Sequence, residues 1–176
     1  MQRRTAIRNI AIITAGAAFL PACNNADSTP GIKLKNISVT GKEQNMLAEL
    51  AETILPKTKE FIGSVDLKSH EFLLTMMDDC SSPEDQEKFT AGLKAFEENC
   101  NNKFKTSFAK CPAAQRVELL KELEANKDKN NLAAVFYKTT KRYTLQSFTS
   151  SKEYLLKIKK FTLAPGPFYK GCVKAA

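Results

Sequence analysis

Five cysteines and one histidine are the side chains in this sequence best equipped for chemistry. A thiol can serve as a nucleophile, a metal ligand, a lipid attachment point or half of a disulfide, and its neighbours decide which. Nucleophilic catalysis of the usual kind needs a histidine beside Ser, Cys or Asp. His70 is the only histidine available, and its place next to Glu71, early in an expected helix, reads as solvent-facing or capping. No CxxCH run exists for covalent haem, and no CxxC pair exists for thioredoxin-like redox chemistry or the common zinc spacings. No GxGxxG or Walker sequence exists to cradle a phosphate. The acidic pairs Asp78-Asp79 and Glu97-Glu98 are adjacent on helices, where neighbours diverge by ~100°, so both are expected to be solvated. No catalytic, cofactor-binding or metal-binding residue is therefore assigned, and the chain is not expected to be an enzyme.

The remaining uses of cysteine concern attachment and cross-linking. Arg3, Arg4 and Arg8 precede an apolar run of 11 residues, Ile10 to Leu20. A spanning helix needs ~20 apolar residues, so this run is read as an export signal. The paired Arg3-Arg4 resembles a twin-arginine signal, the route taken by proteins exported already folded. Leu20-Pro21-Ala22-Cys23 resembles a bacterial lipobox, in which the cysteine thiol is acylated and becomes the new N-terminus. Residues 1–22 are thus expected to be a signal peptide, and Cys23 the site of a lipid anchor holding an exported protein to a membrane on the periplasmic or cell-surface side. Within residues 1–22 only the three arginines are charged, so their removal lowers the formal charge from +8 to +5. The remaining lysines are dispersed, and the densest stretch, Lys157 to Lys160, reads as a solvated face. No nucleic-acid partner is expected.

The elements that would position the other four cysteines are helical. Residues 23–39 read as a polar tether followed by an extended arm or short edge strand, because Ile32 to Val39 alternates apolar and polar residues. Thr40 and Glu43 form a capping box for a first helix whose apolar stripe is Met46, Leu47, Leu50, Ala51, Ile54 and Leu55, closed by Pro56. A second helix is expected from Leu67 to Asp79, burying Phe72, Leu73, Met76 and Met77. Ser82-Pro83 caps a third, with Phe89, Leu93, Phe96 and Cys100 inward. Phe104 and Phe108 follow as core plugs. A fourth helix starts at Pro112 and uses Val117, Leu120 and Leu123. A fifth covers Leu132 to Ser147, with Phe136, Thr140, Tyr143 and Ser147 on one side. Ser150 and Glu153 offer a capping box for a short last helix to Lys160. Residues 40–176 therefore predict one all-α domain, a bundle of five to six helices with an extended N-terminal arm and an ordered C-terminal tail.

With Cys23 lipidated, Cys80, Cys100, Cys111 and Cys172 remain, and four thiols in an oxidising compartment suggest two disulfides. Cys80 and Cys100 flank the third helix, whose ~17 residues at ~1.5 Å rise separate its ends by ~25 Å. A disulfide needs Cα atoms within ~7 Å, which excludes that pair. Cys100 and Cys111 close a short connection between two helices, so the expected pairing is Cys100–Cys111 with Cys80–Cys172, the latter pinning the tail. Four buried thiols, or one thiol bonded to a partner chain, are the alternatives.

Three runs of residues resemble one family: Thr53 to Pro56, ending the Thr-capped helix; Phe72 to Cys80 with Ser82-Pro-Glu-Asp-Gln86, Phe89, Gly92-Leu93 and Phe108; and Phe148-Thr-Ser150 with Pro165-Gly-Pro-Phe-Tyr-Lys-Gly-Cys172. Together with the twin-arginine start, they are similar to the small subunit, or subunit 3, of membrane-bound gluconate 2-dehydrogenase. The resemblance implies a non-catalytic companion of a large flavin-dependent sugar or sugar-acid dehydrogenase, often accompanied by a multi-haem cytochrome c subunit. FAD would reside in that partner and not in this chain. It also implies that Cys80 and Cys172 are the family-like pair, with Cys100 and Cys111 as additions. Phe168 and Tyr169 in the tail are then candidates for the partner interface. The segment SKEYLLKIKKFTLA departs from the Gly-Ala-rich stretch usual in the family. A free-standing helical lipoprotein that binds without a dehydrogenase partner is the alternative.

Overall fold

A computed structural model describes residues 32–160. Residues 32–40 form an extended arm. Five helices follow: α1 (Gly41–Ile54), α2 (Ser69–Cys80), α3 (Pro83–Phe104), α4 (Ala113–Ala125) and α5 (Leu132–Thr149). A 3-10 turn, Phe108–Lys110, separates α3 from α4, and a π-helical turn, Tyr154–Ile158, follows α5. No strand occurs among the described residues, so the domain is an all-α bundle.

The helix starts follow the local chemistry of the chain. The Thr40 hydroxyl accepts from the Glu43 amide while the Glu43 carboxylate accepts from the Thr40 amide at 2.7 Å, completing the capping box. Ser82 accepts from the Asp85 amide at 3.2 Å, with Pro83 in the first turn and Glu84 and Asp85 favoured by the helix dipole. Asn131 caps α5 by accepting from the Ala134 amide. Lys105 ends α3 in the left-handed region, φ 57°, and turns the chain towards the 3-10 turn. Gln86 serves the helix before its own: its side-chain amide donates to the carbonyls of Met77 and Asp78, both at 3.0 Å, in the last turn of α2 where helical donors run out.

Helices α3 and α5 form the centre of the bundle, and the other elements pack around them. Phe96 of α3 is fully buried between Phe108 of the 3-10 turn and Phe136 of α5, with ring centroids 5.0 Å and 5.4 Å away. Phe89 meets Phe136 at 5.2 Å. The helices approach closely at Gly92. A Cβ there would lie 2.7 Å from both the Leu132 carbonyl oxygen and the Phe136 Cβ. An Ala substitution inside a helix ordinarily gains up to ~1 kcal/mol over Gly. Here the Cβ meets a backbone oxygen and a Cβ that cannot swing aside, which puts the overlap at the upper end, ~2–3 kcal/mol, so Gly92→Ala is expected to destabilise the protein overall by ~1–2 kcal/mol in urea unfolding.

Several expected faces shift. Helix α2 buries Leu73, Leu74 and Met77, and leaves Phe72 and Met76 only partly covered at the edge of the core. Helix α4 buries Leu119, Leu120 and Leu123, whereas Val117 is 41% exposed. The capping box expected at Ser150 and Glu153 does not form. The Ser150 hydroxyl donates back to the Gln146 carbonyl, and Ser151 accepts from the Tyr154 amide instead. The arm takes the extended form and not a strand, with Ile37 buried and Ile32, Leu34 and Val39 against the core.

Candidate functional site

The arm is fastened by a carboxylate. Asp78, in the last turn of α2, accepts from the backbone amides of Lys35 (2.8 Å), Asn36 (2.7 Å) and Ile37 (3.0 Å). Asn36 returns a bond from its side-chain amide to the Asp78 carbonyl at 2.7 Å. Asp78 is thus buried and bonded, which corrects the expectation that both acids of the pair are solvated. Its neighbour Asp79 is exposed and pairs loosely with Lys35 at 3.8 Å. Glu97 departs from the same expectation: it is half-buried and accepts from the Phe108 amide at 3.3 Å, whereas Glu98 is exposed.

The bond from the Lys35 amide, assisted by those from Asn36 and Ile37, holds the Asp78 carboxyl below the usual carboxylate range, although burial acts the other way. A depressed acid stabilises the fold in its ionised form. That contribution is complete above the unfolded value of ~3.9 and is lost as pH falls through the lower folded value. The arm is therefore expected to loosen only in strong acid. At neutral pH, Asp78→Ala is expected to remove hydrogen-exchange protection from the amides of Lys35, Asn36 and Ile37, whereas Asp79→Ala leaves it intact.

Beside this clamp lies a groove of about 560 Å³ between the end of α2, the start of α3 and α5. Met77, Phe89, Phe136 and Tyr143 line it with apolar surface, and Lys88, Lys138 and Arg142 contribute cations. Cys80 is exposed and lines the groove as a free thiol, with no histidine among the groove's lining residues. This composition suits binding. His70 lies in the first turn of α2, half-buried, and its pKa is lowered by loss of solvent.

At the opposite end of α3, the structure brings Cys100 and Cys111 together. Both are buried, and their sulfurs are 3.4 Å apart. A disulfide has its sulfurs at ~2.05 Å, so the expected Cys100–Cys111 bond is not present and the two are thiols in contact. The elements meet as the sequence suggested; the covalent link does not follow from the packing alone. The structure shows no disulfide holding the C-terminal tail, because Cys80 is free and Cys172 lies outside the described residues. Arg3, Arg4, Cys23, Phe168 and Tyr169 also lie outside them.

Two further organising residues are Glu52 and Arg116. Glu52 accepts from the Ser64 hydroxyl at 2.8 Å and from the Lys57 amide at 3.1 Å, folding the connection between α1 and α2. Arg116, at the start of α4, donates to Glu49 of α1 and to the carbonyls of Ala109 and Cys111. Neither has a sequence signal, since each acts on partners set by the fold. Among the described residues no cluster of three or more His, Cys, Asp or Glu is placed to hold a metal ion, and no helix is long and apolar enough to cross a membrane.

The fold and these sites define a small all-α bundle with its N-terminal arm clamped to one end of α2. Residues 41–166 of the 176-residue chain match the family described as Gluconate 2-dehydrogenase subunit 3, and the chain belongs to that family. The match begins at the first residue of α1 and spans all five helices. The family takes its name from a subunit of a multi-subunit gluconate dehydrogenase, in keeping with an accessory role in a dehydrogenase complex. No curated protein and no solved structure matches the chain.

Proposed function

We propose that this protein is a non-catalytic accessory small subunit of a membrane-associated, flavin-dependent sugar or sugar-acid dehydrogenase, exported to the periplasmic or cell-surface side. In this role it aids export of the catalytic subunit, stabilises it and tethers it to the membrane. Membership of the subunit 3 family across the helical bundle carries the reading. The flavin, FAD, belongs to the large subunit, and such complexes often include a multi-haem cytochrome c subunit.

The geometry supports the tethering part. A chain anchored through Cys23 reaches the bundle through residues 24–40, and Asp78 fastens that segment at Lys35 to Ile37. A pull on the lipid end is thus delivered to α2 and not to a loose tail. Paired arginines at Arg3 and Arg4 fit export of a folded assembly, with the small subunit supplying the signal for both chains. The tail residues Phe168 and Tyr169 supply apolar contact with the partner.

Deletion of the gene in its own bacterium tests the reading. Membrane-bound, dye-linked sugar or sugar-acid dehydrogenase activity is expected to fall at least ~10-fold and to return with the wild-type gene. A Cys23→Ala copy is expected to leave activity in the soluble fraction. Unchanged membrane activity in the deletion strain would refute the accessory role.

A further inference from the structure

The structure brings together, as unbonded thiols, the two cysteines whose spacing suggested a disulfide. Cys100 lies in the penultimate turn of α3 and Cys111 directly after the 3-10 turn. Three non-covalent devices already fix the chain between them. Lys105 reverses it in the left-handed conformation, the Glu97 carboxylate accepts from the Phe108 amide, and Arg116 donates to the Ala109 carbonyl. The sulfurs stand 3.4 Å apart. Closing that gap to a bond at ~2.05 Å asks for about 1.4 Å of sulfur movement, within reach of small side-chain rotations.

The same packing shuts the pair away. Cys100 is 0% exposed and Cys111 4%. Thiol–disulfide exchange requires a thiolate that an oxidant can reach. Burial first, then the contact with Cys111 and the nearby Glu97 carboxylate, push the Cys100 thiol up to about 12, against a smaller opposing effect of Arg116. Cys80, by contrast, is exposed at the end of α2.

We propose that Cys100 and Cys111 form an intramolecular disulfide while the chain folds, and that the closed core then fixes whichever redox state the pair has reached. The oxidant is a small-molecule or protein disulfide. The Cys111 thiolate attacks one of its sulfurs and expels a thiolate. The Cys100 thiolate then attacks the Cys111 sulfur of this mixed disulfide and expels the second. The two cysteines lose two electrons and two protons; the oxidant disulfide gains both and leaves as two thiols. The state of the pair thus records the compartment in which the chain folded. This inference stands on the geometry of the pair and is independent of the proposed partner.

The full-length reduced chain, refolded from denaturant in a glutathione buffer rich in the oxidised form, provides the test. After blocking of free thiols and tryptic digestion without reductant, the peptides Ala95–Lys103 and Cys111–Arg116 are expected as one linked species, about 2 Da lighter than their sum. When the same buffer is added to chain already folded with reductant, the linked species is expected to appear at least ~10-fold more slowly, while Cys80 reacts quickly. Recovery of both peptides with blocked thiols after oxidative refolding would overturn the bond. Equal rates for unfolded and folded chain would overturn the sealing.

Discussion

Phe96→Ala is expected to be among the most damaging single substitutions in this protein, lowering its unfolding free energy by ~3–5 kcal/mol. The side chain has no exposed surface, and its ring lies between Phe108 and Phe136. Truncation removes the transfer energy of the ring and leaves a cavity where α3, the 3-10 turn and α5 converge. The two remaining rings come from different elements, each held by its own contacts, so the site cannot collapse fully. Small domains have only ~5–15 kcal/mol in total, so the loss is a large fraction of it. Urea unfolding measures it, with Val117→Ala as a comparison. Val117 is 41% exposed, and its substitution is expected to stay within ~0.5 kcal/mol. A loss below about 1.5 kcal/mol for Phe96→Ala would show that the three elements are not joined through this ring.

Arg116→Ala follows, with an expected loss of ~2–3 kcal/mol. Its guanidinium donates to Glu49 at 2.5 Å, to the Ala109 carbonyl at 2.7 Å and to the Cys111 carbonyl at 2.9 Å, and its carbon lies 5.5 Å from the Phe108 ring centre. Which contact dominates follows from exposure. Glu49 is 40% exposed, so the ion pair is screened and contributes ~1 kcal/mol or less. The two carbonyls are partly buried and have no comparable donor once the guanidinium is gone, so they carry most of the cost. Arg116→Lys is expected to recover little, because one ammonium group cannot reproduce three donors in a planar fork. Glu49→Gln, which keeps the carbonyl contacts, is expected to cost less than half as much. Equal losses for Glu49→Gln and Arg116→Ala would place the energy in the ion pair instead.

The parts of this molecule governed by local chemistry were readable from residue order. Thr40 with Glu43 and Ser82 with Pro83 announce helix starts because a cap is satisfied within three residues. Phe89, Leu93, Phe96 and Cys100 recur at helical spacing, and all four are buried. Helix α4 shows where periodicity fails. At about 100° per residue, Val117, Leu120 and Leu123 form one apolar arc, and Leu119, Leu120 and Leu123 form another of similar width. Packing against α5 and α1 selects the second. Asp78 was illegible for a different reason. Its partners are backbone amides 41 to 43 residues earlier, and backbone amides leave no trace in residue type. Arg116 was hidden in the same way, since two of its three acceptors are carbonyls. The cysteines fall between these cases. The short connection between two helices placed Cys100 near Cys111, but proximity of thiols is a matter of packing and a bond between them is a matter of redox history.

The role proposed for this bundle is that of accessory subunit to a flavin-dependent dehydrogenase. Affinity capture of the full-length protein, tagged at its C-terminus and extracted in mild detergent from membranes of its own bacterium, tests it most directly. The expected result is a second, larger chain at about one-to-one stoichiometry, carrying FAD and reducing an artificial acceptor when a sugar or sugar acid is supplied. Recovery of the tagged chain as a monomer, free of flavin, from membranes that retain such dehydrogenase activity would contradict it.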